Sequence, residues 1–291
     1  ARRPDHLMNS ARSALVFELA NDLFYYELGN ERVRRLTRTP SPETEVSFGL
    51  DGNLVAFVRD HNLVVVDVER QRERALTSNG SDTIRNGQLD WVYQEEIYGR
   101  GNFHGYWWSP DSTHIAYLQL DDSTVPIYNV IDHIPYHPEV EDWNYPKAGD
   151  PNPRVRLGIV QVTGGATTWV DITQYVPFEP LIVRVGWTPD SQSVVFQVQN
   201  REQTWLDLNS VSTKTGAVTR LLRETSDTWV NVNGVPTWLS DGSFLWLSER
   251  SGWMHIYHYD ADGTLVHQVT DGEWEVRQLH GVDEATGWVY F

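Results

Sequence analysis

The chain has 291 residues, no cysteine and a formal net charge of −17, from 23 Lys and Arg against 40 Asp and Glu. The lack of cysteine excludes disulfides and thiolate metal sites. The acidic balance argues against the basic face that nucleic-acid binding needs, so we expect no nucleic-acid partner. No segment approaches the roughly 18 uninterrupted apolar residues of a membrane-spanning helix. The 13 Trp and 13 Tyr residues favour β-sheet.

One phrase recurs along the chain: an aromatic or apolar residue, a short turn with Asp-Gly or Pro-Asp, and then an apolar strand. Clear copies are found at Val46–Phe57, Trp107–Tyr117, Gly186–Phe196 and Thr237–Trp246, and weaker ones at Ser10–Phe17 and Asp283–Phe291. Each phrase predicts two strands joined by a tight turn. A further strand pair follows, and several of these pairs end in a Leu-Thr or Val-Thr step.

Four strands per unit are typical of a propeller blade, so the sequence predicts an all-β fold, a β-propeller of four-stranded blades. Residues 1–291 would form one such domain, an incomplete ring of about five blades and the start of a sixth. The intervals from Asp51 to Asp111 and from Asp111 to Asp190 exceed the roughly 40–50 residues of a blade, so both must carry insertions. The last copy stops at Phe291 in what resembles mid-strand, and we expect the chain to be a fragment.

The first insertion contains the phrase Asp-Trp-Val-Tyr-Gln-Glu-Glu at residues 90–96, shortly before the strand that begins at Trp107. This phrase closely resembles the D-W-V-Y-x-E-E motif of the dipeptidyl peptidase IV family. Further similarities follow in order at Val125-Pro126, 145–153, Trp229–Asn231, Ser248–Gly252 and Gly272–Val276. The resemblance spans most of residues 80–280, whereas residues 1–80 resemble the family only as generic blades.

The resemblance implies that Glu95 and Glu96 bind the free α-ammonium of a peptide substrate from a short helical insertion facing the propeller interior. We expect helical structure only around Trp91–Tyr98. The chemistry agrees, because an ammonium has three donors and carboxylates are its natural acceptors. A solvated acidic pair is the plain structural alternative. A glycosidase-like pair is disfavoured, because adjacent residues rarely oppose each other around one bond.

The chain contains no G-x-S-x-G nucleophile elbow. Family members carry their Ser, Asp and His triad in an α/β-hydrolase domain, mostly downstream of the propeller. The resemblance therefore implies a chain without catalytic residues, inactive alone, that works with a C-terminal hydrolase domain of the same polypeptide. The substrates would be peptides with a free N-terminus that lose X-Pro or X-Ala dipeptides, in the periplasm or outside the cell. The alternative is a non-enzymatic propeller that serves as a protein-interaction platform.

The second insertion, residues 121–153, contains the segment Ile127–His133 and a proline-rich stretch. The resemblance implies that it forms an extra hairpin or arm outside the blade, which contacts the second subunit of a homodimer. A plain surface loop is the alternative.

Other constellations carry less weight. His133 and His137 have metal-like spacing, but the prolines beside them break any helix that would align the pair. We therefore expect no metal and no cofactor. Asp260 and Asp262 begin like a calcium loop but lack its other ligands, and a blade turn is the better interpretation. Arg12 is a candidate for the arginine with which the family grips the substrate carbonyl, on its place in the chain alone.

Overall fold

The computed structural model describes residues 6–291. The chain divides into two compact units, one ending at Val170 and the other beginning at Asp171, and each is described by itself. Both are built almost entirely from antiparallel β-strands, which confirms the predicted fold class. Within the described residues, no helix is long and apolar enough to cross a membrane.

The first unit contains three blade-like sheets and a separate hairpin. The first sheet has the order β1 (His6–Met8), β2 (Ala14–Leu19), β3 (Asp22–Glu27), β4 (Arg32–Arg35). The second has the order β5 (Thr44–Phe48), β6 (Leu54–Arg59), β7 (Asn62–Asp67), β8 (Arg72–Ala75). The remaining strands are β9 (Ile84–Asn86), β10 (Tyr106–Trp108), β11 (His114–Asp121), β12 (Ile127–Asp132), β13 (Glu139–Asn144), β14 (Arg154–Gln161) and β15 (Thr168–Trp169). The third sheet has the order β10-β11-β14-β15, with β9 also paired to β11, while β12 and β13 form the hairpin.

The second unit contains two more four-stranded sheets. One has the order β16 (Leu181–Trp187), β17 (Ser193–Gln199), β18 (Trp205–Ser212), β19 (Val218–Thr225). The other has the order β20 (Thr237–Trp238), β21 (Phe244–Ser248), β22 (His255–Tyr259), β23 (Leu265–Gln268). A two-stranded sheet of β24 (Gly281–Asp283) and β25 (Trp288–Tyr290) follows. Five blades and a partial sixth agree with the prediction.

The aspartate of each recurring phrase closes the turn between the first two strands of its blade. Its Oδ1 accepts a hydrogen bond from the N–H two residues later, at 2.9–3.1 Å, in an Asx-type turn. The residues concerned are Asp51, Asp111, Asp190, Asp241 and Asp283. The repeat read from the sequence is therefore a repeat of turn chemistry, because only a short side chain with an acceptor can make this contact.

The Leu-Thr and Val-Thr steps fasten the outermost strand of three blades. In the second blade, the N–H of Leu63 donates to the hydroxyl of Thr77 at 3.0 Å. The N–H of the residue before the threonine donates to the carbonyl of Leu63 at 2.8 Å. Equivalent threonine contacts involve Thr37 at 2.8 Å and Thr270 at 3.0 Å. Each step thus marks the place where the last strand closes onto its neighbour.

The strands in the middle of the second sheet are apolar on both faces because both faces are covered. Val55 and Phe57 of β6 pack with residues of the first sheet. Ala56 and Val58 of the same strand pack with Tyr106 and residues of the third sheet. A strand buried on both faces has a continuous apolar sequence instead of an alternating one.

The expectation that helical structure is confined to Trp91–Tyr98 was wrong. Besides the expected helical segment, which spans Tyr93–Ile97, a 3₁₀ turn spans Thr173–Phe178. Tyr175 in this segment is buried, and its hydroxyl donates to Asp207 Oδ2 at 2.9 Å and lies 2.9 Å from Asn209 Oδ1. These partners belong to β18, more than 30 residues later, so the contact that holds the segment is not visible in the local sequence.

Candidate functional site

A short helical segment, Tyr93–Ile97, carries both glutamates of the motif. The buried Asp90 precedes it, and its carboxylate accepts the N–H of Tyr93 at 3.0 Å and the N–H of Val92 at 3.2 Å. The segment is π-helical, since the N–H of Tyr98 donates to the carbonyl of Tyr93 at 2.8 Å. Single π-turns are rare in proteins overall, and those that occur are frequently found at functional sites.

Burial raises the pKa of the Asp90 carboxyl to about 6. The N–H groups of Tyr93 and Val92 act in the opposite direction, because they stabilise the anion. The nearby Asp122 adds to the increase and Arg85 opposes it. Asp122 is itself buried, with Arg85 Nε 3.3 Å from its Oδ2. The motif therefore begins beside two buried carboxyls, and the charge of a single arginine, Arg85, acts on both of them.

The two glutamates differ in their surroundings. The Glu95 side chain is only 15% exposed, and its Oε1 accepts a hydrogen bond from Arg100 Nε at 2.6 Å. Arg100 Nη2 contacts the same oxygen. Glu96 is exposed. One carboxylate is thus held in place by a protein cation, and its neighbour in the chain faces solvent.

The turn that follows the helical segment places Arg100 beside Glu95. Gly99 and Gly101 flank the arginine with φ values of 103° and 79°, which favour glycine. The buried Gln94 accepts the N–H of Gly101 through its Oε1 at 2.7 Å. Sequence reasoning missed Arg100 as part of the site. The available signal was a Gly-Arg-Gly turn five residues after the first glutamate.

Aromatic rings surround the segment. Tyr93 is fully buried and stacks on Tyr98 at 6.3 Å, and Tyr98 lies 5.8 Å from Trp107 of β10. On the other side, Trp91 contacts Tyr145 at 4.3 Å in an edge-on arrangement. Tyr145 follows the β12–β13 hairpin, so the helical segment is packed between the blade and the base of this arm.

A cleft of about 520 Å³ lies between the arm and the helical segment. Its lining is mainly aromatic and apolar, with Lys147 Nζ 5.1 Å from the centre of the Tyr128 ring. The lining residues are Trp91, Gln94, Phe103, Tyr128, Val130, Trp143, Tyr145 and Lys147. The second insertion therefore contributes a wall to the neighbourhood of the motif.

The structure also locates the other candidates. Arg12 lies exposed in the turn between β1 and β2, and its grip on a substrate carbonyl stays a prediction. His133 and His137 are exposed at the tip of the arm. Among residues 6–291 there is no group of three or more His, Cys, Asp or Glu side chains that could hold a metal. Asp260 and Asp262 form the turn between β22 and β23, where Asp262 accepts the N–H of Thr264 at 2.9 Å.

Comparison with known proteins agrees with this architecture along almost the whole chain. Residues 7–291 match the family model described as the dipeptidyl peptidase IV (DPP IV) N-terminal region. The chain belongs to the dipeptidyl peptidase IV family. Dipeptidyl peptidase 4 of Trichophyton rubrum is 30% identical over 258 residues, which cover 82% of this chain and 32% of that protein. A probable dipeptidyl peptidase 4 of Aspergillus flavus is 26% identical over 92% of this chain and 36% of its own.

Solved structures of the dipeptidyl peptidase IV family share the fold. The crystal structure of Porphyromonas gingivalis dipeptidyl peptidase 4 superimposes with a TM-score of 0.85 at 27% identity, covering 98% of this chain and 42% of that one. A putative dipeptidyl aminopeptidase IV from Bacteroides ovatus gives a TM-score of 0.75 at 22% identity, over 92% of this chain and 39% of that one. The chain thus spans about a third of the length of the curated relatives it matches.

Proposed function

We propose that this chain is the substrate-selecting β-propeller part of a dipeptidyl peptidase that removes X-Pro or X-Ala dipeptides from free N-termini. In this proposal Glu95 and Glu96 bind the substrate's α-ammonium. The supporting observation is the placement of the motif: two adjacent carboxylates lie on one short helical segment whose start is fastened by a buried aspartate.

The chemistry of the pair suits an N-terminal amine. An ammonium has three N–H donors and a full positive charge, and two carboxylates offer it charge-assisted acceptors. Each such bond contributes about 1.5–3 kcal/mol. A peptide whose amine is blocked, or lies further along the chain, cannot place its charge there. The pair would therefore measure a fixed distance from the substrate's N-terminus.

The cleaving groups belong, in this proposal, to an α/β-hydrolase domain of the same polypeptide outside residues 1–291. The curated relatives are about three times as long as the part of them that this chain matches. Binding without a nucleophile cannot form an acyl-enzyme. We expect the purified 291-residue chain to leave a Gly-Pro anilide intact, and hydrolysis by highly pure chain would contradict this part of the proposal.

The arm is the proposed contact of a homodimer. Every residue of its two strands is exposed except Asn144 at the base, which is half-buried. Ile134 and Tyr136 at its tip are 94% and 95% exposed. Large apolar side chains in such a cluster are unusual on a monomer surface and mark interaction sites.

The test of the binding role is a two-by-two cycle in the enzyme that includes the hydrolase domain. Replacing either glutamate by alanine should lower kcat/KM for a free dipeptide anilide about 30- to 150-fold, equivalent to about 2–3 kcal/mol. Acetylating the amine of the substrate should lower kcat/KM of the wild-type enzyme by at least the same factor. In the Glu95→Ala, Glu96→Ala double variant, acetylation should matter far less, because its partner is already gone.

A matched control is Glu18→Ala, which removes an exposed carboxylate from the first blade. It should leave both the rate and the penalty for acetylation unchanged. If the penalties for acetylation and for losing the glutamates simply add, the pair does not bind the N-terminus. The interaction-platform hypothesis would then be the better one.

A further inference from the structure

The guanidinium of Arg100 binds the Glu95 carboxylate, to which the substrate amine would also have to bind. Its Nε lies 2.6 Å from Glu95 Oε1, and its Nη2 contacts the same oxygen. Both contacts converge on Oε1, so Oε2 is the oxygen left to other donors. A guanidinium offers a carboxylate the same kind of charge-assisted N–H bond as an ammonium does.

The backbone, more than the side chain, brings Arg100 to this position. Gly99 and Gly101 have positive φ, and the N–H of Gly101 is tied to the buried Gln94 at 2.7 Å. The turn is therefore fastened to the same helical segment that carries Glu95. The Arg100 side chain itself is 85% exposed, so it can leave Glu95 without uncovering any core.

The ion pair between Arg100 and Glu95 changes the net charge of the site. Glu95 and Glu96 carry two negative charges, and Arg100 reduces the local sum to minus one. The hydrogen bond that Arg100 donates to Glu95 raises the pKa of Arg100 above its ordinary value, with further contributions from the charges of Glu95 and Glu96. The arginine stays charged at every working pH, so it competes with an incoming cation under all conditions.

We propose that Arg100 is an internal counterion that the substrate's α-ammonium must displace from, or share with, Glu95, and that it thereby sets the affinity of the site for free N-termini. This inference rests on the proposed function. Arg100 is a specificity-determining residue that acts through Glu95. Arg100 weakens the binding of every cation to the site. The loss of affinity is smaller for a ligand whose three N–H donors can bind both carboxylates at once.

The test compares Arg100→Gln and Arg100→Lys in the enzyme that includes the hydrolase domain. Exposed ion pairs are worth about 0.2–1 kcal/mol, so Arg100→Gln should lower KM for a free dipeptide anilide about 1.5- to 5-fold with kcat little changed. KM of Arg100→Gln should also rise more steeply with added NaCl, because the site then carries two uncompensated charges. Arg100→Lys keeps the charge and should stay near wild type.

Two comparisons make the result specific. In a Glu95→Gln background, Arg100→Gln should no longer lower KM, because the residue through which it acts has lost its charge. Arg70→Gln, which removes an exposed arginine paired with Asp67, should change neither KM nor its salt dependence. Thermal melting should be the same for all three arginine variants.

An unchanged or raised KM in Arg100→Gln would overturn the proposal. A raised KM would mean that the arginine holds Glu95 in its binding position instead of competing for it. The proposed function fails separately, through the two-by-two cycle with acetylated substrate. If that cycle succeeds and Arg100→Gln leaves KM unchanged, only the counterion role is wrong.

Discussion

The Oδ1 of Asp90 accepts the backbone N–H of Tyr93 at 3.0 Å, and this contact fixes the start of the helical segment that carries Glu95 and Glu96. The aspartate does this from a buried position, 3% exposed. A buried carboxylate is costly to ionise even when it caps a backbone turn. The residue that positions the proposed binding site is therefore also sensitive to pH.

Replacing Asp90 by asparagine should change how stability depends on pH. The folded-state pKa is raised from 3.8 to about 6, so the protonated form is favoured by folding. This contribution is complete below pH 3.8 and is lost as the pH rises through 6. The unfolding free energy of Asp90→Asn minus that of wild type should therefore increase by about 2–3 kcal/mol from pH 4 to pH 7. The asparagine Oδ1 can still accept the N–H of Tyr93.

Urea unfolding at several pH values measures this difference. Asp227→Asn, at an exposed position, is the control and should follow the wild-type curve across the range. A difference between Asp90→Asn and wild type that stays constant from pH 4 to pH 7 would contradict the assignment of a raised pKa to this carboxyl.

Thr77→Val should destabilise the second blade by about 1–3 kcal/mol. Valine has the same shape but cannot accept the N–H of Leu63, which donates to the buried Thr77 hydroxyl at 3.0 Å. Thr219→Val on an exposed stretch of β19 should change stability by less than about 0.5 kcal/mol. Denaturant unfolding gives both values. Equal effects at the two positions would show that the threonine contact adds nothing.

Gly263→Ala should destabilise the second unit strongly. Gly263 has a φ of 86°, and a Cβ there would lie 2.1 Å from the carbonyl oxygen of Leu221, a backbone atom that cannot move away cheaply. Gly287 has a similar φ of 75° with nothing within 4 Å of its Cβ position, so Gly287→Ala isolates the conformational strain. We expect Gly263→Ala to cost about 2–4 kcal/mol more than this control. Similar melting temperatures for the two variants would disprove the close approach.

The prediction for the arm applies to the longer polypeptide of the proposed function, with its proposed hydrolase domain. Ile134→Ser with Tyr136→Ser removes the two most exposed large apolar side chains of the arm and should shift a homodimer towards monomer in analytical ultracentrifugation. Leu19→Ser removes a 60% exposed leucine from the first blade and should leave the oligomeric state unchanged. A double variant that stays dimeric at the same dissociation constant would locate the interface elsewhere.

Much of the fold could be predicted because the blades repeat the same turn residues between their first two strands. The turn at Asp111 and the one at Asp190 are closed by the same side-chain contact two residues away, which a reader of the sequence can recognise. The hairpin of the second insertion, Ile127–Asp132 with Glu139–Asn144, also agrees with the prediction of an extra arm. Its use in dimer contacts stays a proposal.

By itself, the sequence determined the blade repeat, the place of the two insertions and the adjacent pair Glu95 and Glu96, because turn residues and strand patterns act within a few positions along the chain. Only the tertiary structure decided the burial of Asp90, the 3₁₀ turn held by Tyr175 against Asp207, and the ion pair of Arg100 with Glu95. Each of these depends on how backbone segments fold back on one another. Desolvation and ion pairing depend on distances between groups in the folded chain. These distances cannot be obtained from the order of the residues alone.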